Sequence, residues 1–138
     1  MREYGYIYCQ KFIPGNKFDI RVIVIDDKIF EIKRLCRTGD FRASGSGMIF
    51  YAKEDLSEEC AKIALHAAEK MQTQCVVFDF IFDNGKPLLV ECSYGFSMHV
   101  YDRCCGYWDA QMQWHPGSFN PQDWIMDLVI KEIKMRNR

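Results

Sequence analysis

Residues 75–93, CVVFDFIFDNGKPLLVECS, constrain the fold more than any other stretch. Two apolar, β-rich runs flank Asn84-Gly85, the dipeptide best suited to a two-residue hairpin turn. The chain therefore holds at least one antiparallel strand pair. Each strand carries an acid where an apolar side chain is expected: Asp79 between Phe78 and Phe80, and Glu91 between Val90 and Cys92. Which face each acid takes depends on loop length, because side chains alternate along a strand. A two-residue turn pairs Asp79 with Val90 and sends Glu91 to the opposite face. An odd loop, such as Asn84-Gly85-Lys86, sets Asp79 directly against Glu91 with Ser93 next along that face. Opposed carboxylates repel and need a counter-charge. A divalent cation supplies one, since Mg²⁺ takes one or two protein carboxylates and fills its other positions with waters and phosphates. The other solution is one acid at a wet sheet edge and the other paired with Lys33 or Arg34.

The remaining elements are arranged around this hairpin. YIYCQKFI (6–13) is expected as a strand closed by Pro14-Gly15-Asn16. Residues 18–36 form a second hairpin about Asp26-Asp27, with Asp19, Arg21, Ile23 and Ile25 on one face and Phe18, Ile20, Val22 and Val24 on the other. The Gly/Ser-rich stretch 37–47 is a loop. A helix is expected over 55–72, with Asp55 and Glu58 as a capping box and Cys60, Ile63, Ala64, Ala67 and Met71 on its buried face. Residues 94–119 are irregular. A final helix starts with Asn120 as N-cap and Pro121 at its first position, and ends in a basic turn through Lys134, Arg136 and Arg138. The order β-ββ-α-ββ-α predicts an α+β fold, an antiparallel sheet with helices packed on it, as one domain over 1–138.

Composition narrows the partners. A formal net charge of -1 gives no global attraction to nucleic acid or anionic membrane, so anion binding must be local. No apolar run approaches the length of a membrane span, and the start lacks a signal-peptide pattern. The 7 cysteines are odd in number, form no CxxC pair and often sit in apolar runs, which suits reduced, buried thiols in the cytoplasm. Cys104-Cys105 has no second pair at ligand spacing for a soft metal.

Against that neutral background, cations gather near the acids. GDFRASGSG (39–47) offers backbone N–H groups and Arg42; Arg21, Arg34 and Arg37 lie on or beside the neighbouring strands. With Asp79 and Glu91 they form the inventory of a Mg–nucleotide site: metal-binding acids, cationic clamps and a flexible loop.

In this order and spacing, QKFIPGNKFDIRVIVIDDKIFEIKR, GDFRASGSG and CVVFDFIFDNGKPLLVECS resemble the C-terminal half of an ATP-grasp domain of the RimK-type carboxylate–amine ligases, over residues 6–97. Residues 98–138 resemble the tail of ATP-grasp proteins associated with bacterial surface-polysaccharide gene clusters. The resemblance implies a nucleotide held between two antiparallel sheets, and ATP-driven formation of an acyl-phosphate from a carboxylate, which an amine or other nucleophile then attacks. It implies that Gln10, Lys11, Phe12 and Ile13 form the hinge segment whose backbone meets the adenine, that Asp19 and Arg21 lie near the nucleotide, and that Arg34 and Arg42 face phosphate or substrate. It assigns Asp79 and Glu91 to Mg²⁺ (or Mn²⁺). Ser93 stands where the family's third metal ligand is an asparagine, and Ala43-Ser44 stand where RimK-type members tend to place one. The family's phosphate-binding lysines and Gly-rich phosphate loop precede the hinge, at which this sequence begins. The expectation is therefore a partner N-terminal half, with little turnover by 1–138 alone. A degenerate module that binds without catalysis is the other reading, and apolar surface at the docking site could support a homo-oligomer.

Of the other residues, His66 reads as a helix surface residue and His115 as a turn residue, while His99 is a candidate substrate contact. Tyr94 and Ser97 are minor candidates by position. Tyr107, Trp108, Asp109 and Trp114 are expected to pack the tail onto the sheet or to line an acceptor pocket.

Overall fold

The computed structural model describes residues 5–137. The two sequence-legible hairpins are adjacent: β1 (Phe18–Ile25) pairs with β2 (Lys28–Leu35), and β1 also pairs with β4 (Cys75–Asp83), whose own hairpin partner is β5 (Lys86–Ser93). Three shorter strands extend the sheet: β3 (Ile49–Phe50) on β2, then β6 (Gly106–Trp108) on β2, then β7 (Trp114–Pro116) on β6. The order is β5-β4-β1-β2-β6-β7, antiparallel at every pairing. With helices α1 (Glu58–Met71) and α2 (Pro121–Arg136) it makes the expected α+β architecture.

The alternation in β1 places one helix on each face. Ile20, Val22 and Val24 join Val76, Phe78 and Phe80 against α1. That helix presents Cys60, Ala61, Ala64 and Ala68, small side chains that let it lie close to the sheet. Ile63 and Met71, expected on that face, are exposed, and the buried stripe is rotated toward the alanines. On the other face Ile23, Ile25, Phe30, Ile32 and Val77 meet Tyr101 and Cys104 of the tail and Trp124, Ile125 and Leu128 of α2. The second cluster covers only one end of its face, and the other end of that face carries Asp19, Arg21, Arg34 and Asp79.

Helix α1 starts later than Asp55. Residues 53–55 form a short 3₁₀ turn, and the N-cap is Ser57, whose hydroxyl accepts from the Cys60 N–H. The N–H of Ser57 itself donates to Glu31 on β2 at 2.8 Å. In a capping box an acid three residues into the helix reaches back to that N–H; here the acid comes from the sheet, which replaces the expected Asp55/Glu58 arrangement. Helix α2 starts as expected, with Asn120 accepting from Gln122 and Pro121 in the first turn. Its last turn holds Lys134 and Arg136; Arg138 lies outside the described residues.

Two further expectations differ. Residues 6–13 form no strand: the segment runs over the surface with Tyr6, Ile7 and Tyr8 exposed. The stretch 94–119 is more ordered than expected, since β6 and β7 lie within it. Trp108 is buried under the α1 face and packs edge-on against Trp114 at 4.6 Å, so these two aromatics pack the tail onto the sheet. All 7 cysteines are free; Cys60 and Cys104 are buried, but Cys9, Cys92 and Cys105 are exposed, so burial does not describe the set.

Candidate nucleotide and cation site

The turn of the acid hairpin is the two-residue one. Asp83 pairs with Lys86 across Asn84 and Gly85, whose φ angles of 51° and 79° suit the mirror-image turn that Asn-Gly favours. By itself that register would set Asp79 against Val90. A β-bulge intervenes: Phe80 pairs with Leu89, and the next pair is Asp79 with Glu91. The extra residue, Val90, lets the strand change face, so both acids lie together despite the even turn. The odd loop that a shared metal face would require is absent, and the bulge brings the acids together in its place.

Asp79 is already neutralised. Arg21, directly opposite it on β1, donates from Nε and Nη2 to the two carboxylate oxygens at 2.7 Å each. Arg34 reaches the same carboxylate at 3.0 Å and makes a bidentate contact with Asp19, its own cross-strand partner, at 2.8 and 2.5 Å. Two acids and two guanidiniums thus alternate across three strands. The Arg34 and Asp79 side chains are each only 7% exposed. Burial opposes the charge on Arg34, but the bonds to Asp19 and the field of Asp79 outweigh it and hold its pKa up. Burial also raises Asp19, against the pull of Arg34. Arg21 is held charged chiefly by its bonds to Asp79.

Above this network lies a cavity of about 570 Å³. Asp19, Arg34 and Asp79 form its floor; Gln10, Lys11, Phe12 and Ile13 border one side, Phe41, Arg42, Ala43 and Ser44 another, and Val90 and Glu91 a third. Phe12 meets Phe41 edge to face at 5.4 Å and bridges the hinge segment and the loop. The hinge is tied to the sheet by side chains in place of a ladder. Gln10 donates to the carbonyl of the bulged Val90 at 3.0 Å, and the Asn16 amide both accepts from the Phe82 N–H at 2.7 Å and donates to the Phe82 carbonyl at 3.0 Å.

Glu91 is exposed and makes no hydrogen bond or ion pair to the described residues. Arg42 is 61% exposed at the cavity rim and held by Asp40, whose carboxyl that arginine pulls down to about 2. Arg37 is turned inward to the Ser44 carbonyl, where it shapes the loop. Arg21 stands behind Asp79 and outside the cavity wall. Ser93 follows Glu91 on the same face, but its hydroxyl both donates to and accepts from Gly95. His66 is exposed on α1, His99 bonds Ser97, and His115 stacks on Tyr107 while contacting Asp109 at 2.7 Å near the far edge of the sheet. None of the three lines the cavity.

Among the described residues no three His, Cys, Asp or Glu side chains converge as a ready-made metal cage. The donors fit a hard cation that brings its own ligands. Glu91 is an unengaged carboxylate, and Oδ1 of Asp79 accepts one hydrogen bond and keeps a free lone pair. Sequence reasoning missed Val90 and Asn16, the two residues that anchor the hinge. Asn16 reads only as a turn residue, and a bulge leaves no compositional signal.

No curated protein matches the chain. The RimK-like ATP-grasp domain matches residues 5–106, from the hinge past Ser97 into β6, which is well over half of the sequence. With the paired acids, the arginine network and the hinge-bordered cavity inside that match, the chain belongs to the RimK-like ATP-grasp family of ATP-binding ligase modules.

Proposed function

We propose that the cavity holds ATP, with the adenine against Gln10–Ile13 and the phosphates toward Arg34, Arg42 and Glu91, and that the module serves an ATP-dependent carboxylate–amine or carboxylate–thiol ligase. The observation that carries this reading is the convergence of hinge, arginine floor, loop arginine and free Glu91 around one space of nucleotide size. In this reading the opposite wall of the cleft and the lysines that meet the phosphates come from an N-terminal ATP-grasp half.

The chemistry follows from charge. A substrate carboxylate oxygen attacks the γ-phosphorus, the bond to the bridging oxygen breaks, and ADP leaves. The amine or thiol then attacks the acyl carbon, and phosphate departs with the former carboxylate oxygen. Arg34 is held in place by Asp19 and Asp79, so it meets the developing phosphoryl charge with little reorganisation. Arg42 is exposed and can exchange Asp40 for phosphate or substrate. Glu91 and the free face of Asp79, with Ser93 one position along, would hold Mg²⁺ (or Mn²⁺), which when bound offsets phosphate charge.

One observation favours a second reading, a non-catalytic binding module. Both oxygens of Asp79 are occupied by guanidinium groups, and the Ser93 hydroxyl is satisfied locally. The surface-polysaccharide setting implied by the tail, in the cytoplasm, accompanies either reading. Product analysis separates them. With ATP, Mg²⁺ and panels of carboxylates and amines, carboxylate-dependent release of ADP and phosphate supports the ligase. Release of AMP and pyrophosphate contradicts the acyl-phosphate route, and nucleotide binding without turnover even when an N-terminal ATP-grasp half is supplied favours the module.

A further inference from the structure

Helix α2 is apolar on two sides. Trp124, Ile125 and Leu128 face the sheet. Met126, Val129, Ile130 and Ile133, spaced three and four apart, form a second stripe that points away from it, exposed by 56%, 47%, 43% and 53%. A helix face buried against nothing is costly to leave in water, and four adjacent large apolar side chains along about 12 Å of helix make a contiguous patch. The charges beside it are ordered. On one border of the stripe Asp123 and Asp127 occupy the N-terminal half and Lys134 the C-terminal half, all exposed, while Lys131 turns back toward the sheet and pairs with Asp26 at 3.6 Å. On the other border Glu132 and Arg136 satisfy each other.

A stripe with acids at one end of a border and a base at the other complements its own copy turned end for end. About a two-fold axis between Val129 and Ile130, Met126 meets Ile133 of the second copy and Asp123 comes within reach of its Lys134. A parallel pairing would instead bring this border against the opposite one, where Glu132 and Arg136 already satisfy each other. We infer that α2 is a self-association surface, through which two copies of the chain pair as an antiparallel, two-fold helix dimer. One helix pair lies at the small end of specific interfaces, so the dimer is reversible and dissociates on dilution. The inference uses no residue of the nucleotide site and stands or falls separately from it.

Sedimentation velocity and light scattering over a wide concentration range test it. The expected result is a monomer–dimer equilibrium that Ile130→Glu abolishes while the thermal melt stays unchanged. Asp123→Lys and Lys134→Asp should each weaken the dimer roughly tenfold, because each reversal creates two like-charge contacts across the axis. An equimolar mixture of these two variants should regain the wild-type affinity, since the mixed pair again sets opposite charges together. A monomer up to the solubility limit overturns the inference, as does a dimer indifferent to Ile130→Glu, an open-ended series of larger species, or no recovery on mixing.

Discussion

Asp79 and Glu91 are the same kind of residue on facing positions, yet the surrounding groups give them different work. Asp79 is bonded by two guanidiniums and almost wholly buried, so Asp79→Ala leaves Arg34 short of a partner and removes the only acid opposite Arg21. Its expected cost is about 2–4 kcal/mol, read by urea denaturation. Glu91→Gln touches no internal bond and should change stability by less than about 0.5 kcal/mol. A large loss in the second variant would mean that Glu91 is structural. A third acid behaves differently again. Glu31 is 1% exposed, its Oε1 finds no partner among the described residues, and burial pushes its carboxyl up to about 8. The folded chain therefore keeps a proton that the unfolded chain sheds above the ordinary value of 4.5, so this contribution to stability is complete below that value and is lost as pH rises through about 8. Glu31→Gln, which is always neutral and still accepts from Ser57, should stabilise by about 1–3 kcal/mol near pH 9 and hardly at all below about pH 4.5. An equal effect at both ends would contradict the burial argument.

At the scale of elements, the sheet depends on two close approaches. A Cβ on Gly106 would stand 2.5 Å from the His115 carbonyl and from the Trp114 ring, neither of which can give way without moving β7. Gly106→Ala should cost about 2–4 kcal/mol and lower the melting temperature while β1, β2, β4 and β5 stay paired. The bulge at Val90 makes a subtler demand. Deleting Val90 restores a regular ladder and keeps Asp79 opposite Glu91, but it removes the carbonyl that holds Gln10. The melt should stay within a few degrees of wild type while ATP binding weakens roughly tenfold, the equivalent of one lost anchoring bond. Unchanged binding would show that the hinge is held by other means.

These elements also mark where the sequence was legible. Alternation in β1 gave the correct faces, and Asn84-Gly85 gave the correct turn, because both are local rules. The bulge was hidden because it is one residue's choice of hydrogen-bond partner. The capping of α1 was hidden because Glu31 comes from a strand twenty-six positions away. Residues 6–13 have strand-like composition, but composition does not reveal that no neighbouring strand completes a ladder there. β6 and β7 are three residues each, too short for a periodic signal.

Across the whole molecule, the division of one sheet face explains how a small domain can carry a site. Tail and α2 bury the end of that face built from Ile23, Ile25, Phe30 and Val77, while the other end keeps its arginines and acids open to a cavity. Arg34, Asp79 and Glu91 stand out in the sequence as charges on strands, and the structure brings them to one cavity. What charge alone could not give was the prior claim of Arg21 and Arg34 on Asp79, which leaves Glu91 as the cavity carboxylate with no bond to the described residues and, in the proposed reading, the one that answers a cation. Calorimetric titration of ATP into the chain, with and without excess Mg²⁺, beside Glu91→Gln, tests this directly. The account predicts binding that Mg²⁺ strengthens in the wild type and a loss of that Mg²⁺ dependence in the folded variant. Identical binding by both proteins in the presence and absence of Mg²⁺, or no binding by either, would contradict it.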